Sequence, residues 1–186
     1  MLGKSFVAAS ILALLAPLAS AQSALPAAER RLNVQVGALF SLANPGIPRG
    51  SSIYYGSLYK GAGAYIDIDP HVRYGFEFAE HEVFGQYIHE RTLEVGPRFH
   101  KQLGRYVPYG KLLYGRGIFS FPYGIGSLRF NELAFGGGTD YLLSPTIHVR
   151  IDYEYQRWLG FQSHVQGFPG ALSPHIISVG VAYHIK

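Results

Sequence analysis

Ile147-His148-Val149-Arg150-Ile151-Asp152-Tyr153-Glu154-Tyr155-Gln156 changes polarity at every step. The odd positions are aliphatic or aromatic, and the even ones are ionisable or amide. Successive side chains of a β-strand point to opposite sides of the sheet, so this run is a strand with one apolar face and one strongly polar face. No helix could separate the two sets, because a period of 3.6 would scatter the charges around the whole cylinder.

The same alternation recurs along the chain. Asn33, Gln35, Gly37 and Leu39 alternate with Leu32, Val34, Val36, Ala38 and Phe40. Ala62, Ala64, Ile66 and Ile68 alternate with Gly63, Tyr65, Asp67 and Asp69. Val72 to Phe78 and Thr92 to Phe99 give two further strands, and Tyr106–Phe119 gives a less orderly fifth. Leu133–Leu143, the quoted run and Ile177–Ile185 bring the count to eight. Short connections fall near Asp69–His71, Lys101–Arg105 and Ser144–Thr146, and longer ones at about 42–60, 80–90, 119–131 and 157–174. Short and long turns in strict alternation are the pattern of a β-barrel that crosses a membrane. The expected fold is therefore all-β, an eight-stranded antiparallel up-and-down transmembrane barrel.

Composition points the same way. The 186 residues include 14 Tyr, 12 Phe and 23 Gly, and only 15% are charged, against roughly 25% in an average soluble domain. Cysteine is absent, which excludes disulfides, thiolate metal sites and a thiol nucleophile. The net charge of +4 is spread along the chain without a nucleic-acid motif, so no nucleic-acid partner is expected. Lys4, the apolar stretch Phe6–Leu18 and Ala19-Ser20-Ala21 read as a signal peptide over residues 1–21. A short N-terminal segment, 22–30, then precedes the barrel domain, 31–186.

Which face is inside decides between two kinds of barrel. The polar face carries Arg73, Glu77, Glu94, Arg98, Lys111, Asp140, Arg150, Asp152 and Glu154 together with most of the strand glycines. Small residues beside long charged ones suit a tight lumen, whereas the aromatic face is too bulky to line a narrow barrel. The nine charges are expected to form a lumen network. A soluble periplasmic carrier of the lipocalin kind, with the aromatic face turned inward, is the alternative.

On these residues the chain resembles the bacterial outer-membrane β-barrel domain family, with its OmpA-like and OmpX-like eight-stranded members, over roughly residues 30–186. Ser178-x-Gly180-x-x-Tyr183-x-Ile185 resembles the C-terminal signal that the outer-membrane assembly machinery reads, although the chain ends His184-Ile185-Lys186 and not on an aromatic. The resemblance implies a bacterial outer-membrane location, contact with outer-membrane lipids and handling by that machinery. A structural or surface-interaction role is expected, with a narrow or gated pore and an outer-membrane lipid-modifying enzyme as alternatives. Tyr54, Tyr55, Tyr59, Phe121 and Tyr123 are candidate surface-loop contacts for a partner. Glu80-His81-Glu82, His89 and Glu90 read as charged loop residues. No Ser/His pair or metal-ligand spacing stands out, so no catalytic residue, cofactor or metal is expected.

Overall fold

A computed structural model describes residues 32–47, 49, 56–121, 126–160 and 171–185. The expected signal peptide and the segment 22–30 lie outside them, as do Tyr54, Tyr55 and Tyr123. The eight strands are β1 (Asn33–Asn44), β2 (Tyr59–Asp69), β3 (Tyr74–Phe84), β4 (His89–His100), β5 (Tyr106–Ser120), β6 (Ser127–Leu142), β7 (Ile147–Trp158) and β8 (His175–Ile185). Each pairs antiparallel with its sequence neighbours, and β8 returns to β1, from Val34↔Ile185 to Asn44↔His175. Closure satisfies every strand edge, which a sheet immersed in lipid requires.

The alternation is realised as read. Phe40, Phe76, Phe78, Leu93, Val95, Leu112, Tyr114, Phe135, Ile151, Ile177, Val179 and Val181 all project from the outer wall. Toward the short-turn end the wall carries Tyr74, Phe99, Tyr106 and Tyr183, about half exposed, in the place of an interfacial aromatic girdle. The soluble-carrier alternative fails on this point, because the aromatic face is outside.

Two connections are much shorter than the sequence suggests. β3 continues to Phe84 and β4 begins at His89, leaving the hairpin loop Gly85–Ile88, where 80–90 read as a long loop. β5 and β6 extend likewise to Ser120 and from Ser127. The strands, 11 to 16 residues long, match or exceed the 9–11 residues that suffice to cross a bilayer. Their surplus lies at the long-loop end, where the outward face becomes polar. There Arg91 bonds Glu80 at 2.5 Å and His89 approaches Glu82 at 2.9 Å across the β3–β4 hairpin. Charge on both faces of an extramembrane strand looks like a loop in the sequence.

Candidate functional site

Among the described residues the lumen gathers the buried ionisable groups, and it is built in three tiers. Residues of β7 mark the heights, from His148 and Arg150 near the short turns, through Asp152 and Glu154, to Gln156 and Trp158 near the loops.

The lowest tier is organised by two guanidinium groups. Arg150 Nε and Nη2 donate to Asp140 at 2.7 and 2.9 Å, Nη1 to Glu77 Oε2 at 3.0 Å and Nη2 to Asp67 Oδ2 at 2.5 Å. Its plane lies over the Tyr65 ring, 3.7 Å from the centroid. Arg98 Nη2 donates to Asp140 Oδ2 at 2.6 Å, while Nη1 lies 3.3 Å from Asp67. Lys111 Nζ then reaches Glu77 at 2.8 Å, Asp152 at 3.0 Å and Glu154 at 2.9 Å. Tyr109 donates to Asp152, and Gln35 links Tyr65, Asp140 and His148. Seven strands contribute, because inward positions of narrow barrels face one another across the axis. Below this tier a vestibule of about 550 Å³, lined in part by Asp69, His71, His100, His148 and His184, opens at the short-turn end and stops at Arg98 and Asp140.

The middle tier is acidic. Gln156 Nε2 donates to Glu94 Oε1 at 2.7 Å and Glu154 Oε1 at 2.8 Å, and its carbonyl accepts the Trp158 indole N–H at 3.1 Å. His81 lies opposite, with Nε2 3.8 Å from Glu154 Oε2. Glu132 and Glu90 are buried on the same level.

The top tier is apolar. Ala43, Ile47, Tyr59, Val83, Ile88, Phe119, Phe130, Trp158, Leu172 and Ile176 fill the mouth as one cluster, with Phe121 and Leu128 packed against it. Trp158 fits because the facing residue is Gly117, where a Cβ would lie 2.6 Å from the indole.

No protein-family model matches the chain, and no curated protein's sequence does. Solved structures do. The N-terminal β-barrel domain of Pseudomonas aeruginosa OprF superposes with a TM-score of 0.62 at 11% identity, over 84% of this chain and 98% of that one. The fold is that of a bacterial outer-membrane β-barrel. OprG from Pseudomonas aeruginosa matches with a TM-score of 0.57 at 13% identity, over 84% and 97% of the two chains, and the Neisserial surface protein NspA with 0.55 at 12%, over 83% and 96%. The likeness is to the eight-stranded outer-membrane architecture and does not single out OmpA-like or OmpX-like members.

Within this outer-membrane barrel, eight of the nine expected lumen charges are buried on the inner wall: Glu77, Glu94, Arg98, Lys111, Asp140, Arg150, Asp152 and Glu154. Arg73 is a correction. It is exposed in the β2–β3 turn, just before pairing begins at Tyr74. Two proposed surface contacts are also corrected. Tyr59 is 1% exposed inside the mouth, and Phe121 is partly buried against the same cluster, because both follow the inward phase of their strands. Ser178 and Gly180 face the lumen, with Ser178 Oγ 2.8 Å from Ser41 Oγ at the closing seam, whereas Tyr183 faces out and Ile185 pairs with Val34. Asp67, Asp69, His81, Glu90 and Glu132 are further buried ionisable groups. Asp67 and Asp69 share the polar phase of β2 in the sequence. The other three stand in stretches whose polarity resembles a loop. Among the described residues no serine hydroxyl bonds a histidine.

Proposed function

We propose that this protein is a closed, non-catalytic outer-membrane barrel of the OmpA-like and OmpX-like kind, which acts through its outer surfaces and not through its lumen. The observation that carries this reading is the double obstruction of the interior. Water entering the vestibule meets the Arg98–Asp140–Arg150 cluster, and beyond the middle tier stands the Trp158 cluster. A gated pore would need to part both. In planar bilayers the purified barrel is expected to be silent up to voltages at which porins conduct. Reproducible unitary currents that change in Arg98→Ala would overturn the reading.

The lipid contact has a specific candidate. Arg91, Arg116, Arg129 and Arg157 project outward from adjacent strands β4 to β7 just above the apolar wall, and the register places Arg91 opposite Ile118, whose other neighbour is Arg129. Only Arg91 has an acidic partner among the described residues. Clustered guanidinium groups at this height suit phosphorylated lipid headgroups of the outer leaflet. Replacing Arg116, Arg129 and Arg157 together by alanine is expected to reduce co-purified phosphorylated lipid about tenfold, as three desolvated charge-assisted contacts are lost. Equal retention by native mass spectrometry would remove the arginines from the account. In the same reading residues 1–21 are an export signal, and Ser178, Gly180, Tyr183 and Ile185 are read during assembly.

A further inference from the structure

The lumen is out of charge balance. Among the described residues nine carboxylates are buried (Asp67, Asp69, Glu77, Glu90, Glu94, Glu132, Asp140, Asp152 and Glu154), but only three fixed cations (Arg98, Lys111 and Arg150). The lower tier uses all three. What remains is the middle tier, where Lys111 touches Glu154 from below and no Lys or Arg of the described residues pairs with Glu90, Glu94 or Glu132. Isolated carboxylates in a water-excluded chamber are too costly to persist as such, so bound protons or a cation must offset them.

The arrangement of the donors indicates what. One ligand atom each from His81, Glu94 and Glu154 lies within 4.8 Å of the other two. His81 is 1% exposed, and neither of its ring nitrogens has a hydrogen-bond partner. A buried imidazole normally bonds through both nitrogens, so a water or an ion belongs beside it. Both Glu132 oxygens also lack an N–H or hydroxyl donor, and its carboxyl lies within hydrogen-bonding reach of that of Glu94. The acids are moreover held in place. Gln156 bridges Glu94 and Glu154, and the Trp158 indole fixes the amide's orientation. Such outer support orients metal ligands. The wall makes room for them as well: a Cβ at Gly63 would lie 3.0 Å from His81 Nδ1, and one at Gly115 would lie 2.7 Å from Glu94 Cγ.

We propose that His81, Glu94 and Glu154 hold a divalent metal ion of the zinc or manganese class inside the barrel, with Glu132 as a further oxygen ligand. One imidazole and two or three carboxylates match the preferences of these ions, whereas Mg2+ and Ca2+ favour all-oxygen shells. Ligands about 2.1 Å from a shared ion in a tetrahedral shell stand about 3.4 Å apart, so donors that lie within 4.8 Å of one another close by up to about 1.4 Å when the ion binds. With the aromatic cluster above and the Arg–Lys tier below, the ion enters as the barrel forms and leaves slowly.

The full chain should be refolded in lipid with Zn2+ or Mn2+, passed through a chelating column, and its metal counted by elemental mass spectrometry. Wild type is expected to retain about one ion per folded barrel, while H81Q and E94Q retain at least about tenfold less. E82Q, whose carboxylate faces outward toward His89, is expected to match wild type. Heat-dependent gel mobility identifies which variants fold. X-ray absorption on wild type alone provides a second test, with mixed nitrogen and oxygen scatterers expected. Negligible metal in folded wild type with both ions, or a shell made only of histidines, would overturn the proposal. Protons shared among the glutamates would then be the compensating charge.

Discussion

Arg150→Met is expected to cost the barrel about 3–5 kcal/mol, the usual effect of removing one partner from a buried ionic cluster, and in urea titrations in lipid it should be the most damaging change in the lumen. The reason is one of accounting for charge. Arg150 donates to Asp140, Glu77 and Asp67 at once, and Arg98 is the one cation among the described residues left to serve Asp140 and Asp67 after its loss. Methionine fills much of the volume but carries no proton to share, so the acids are left desolvated and facing one another. Replacing Arg150 and Asp140 together by Met and Leu should recover part of the loss, since an apolar exchange removes a charge of each sign. If Arg150→Met unfolds at the wild-type urea concentration, the cluster contributes nothing to stability.

Trp158→Ala is expected to be nearly as costly, at about 3–5 kcal/mol for a large buried aromatic, yet to leave the membrane silent. The indole is fully buried, contacts Phe130 with centroids 6.1 Å apart, and fills the space above Gly117. Its removal opens the mouth at one level only, and the Arg98–Asp140–Arg150 cluster still closes the other. Conductance measured beside stability separates the two roles. A destabilised but silent variant fits two barriers in series, whereas a conducting one would make the aromatic cluster the sole seal.

The barrel itself was legible because alternation survives in every strand that touches lipid: one face must be apolar, so the polar phase stands out in runs such as Ile147–Gln156. The signal fails where lipid ends. Between Glu80 and Glu90 polar residues occupy both faces, so nothing in the sequence separates the inward His81 and Glu90 from the outward Glu80 and Glu82. Arg73 fails for a different reason. It shares the phase of Gly75 and Glu77, but phase does not reveal where pairing begins, and it lies beyond the end of the ladder. Tyr59 and Phe121 read as loop aromatics because the apolar cluster is assembled from residues of different strands and loops, whose proximity depends on register. Pairings such as Arg150 with Glu77 were illegible for the same reason, since they follow from the stagger around the barrel.

Arg150 stands on β7 and Glu77 on β3, four strands apart in either direction around the wall. Their bond therefore runs along a diameter and acts as a spoke. An empty tube of this size can be squeezed into an ellipse by lateral pressure from the surrounding lipid, because bending the wall breaks few hydrogen bonds. A tube with spokes resists, since flattening along one axis must stretch a strut along the other. The charged interior thus gives this small protein a fixed cross-section, so that the outward arginines and the loops above them keep their spacing whatever bilayer surrounds them.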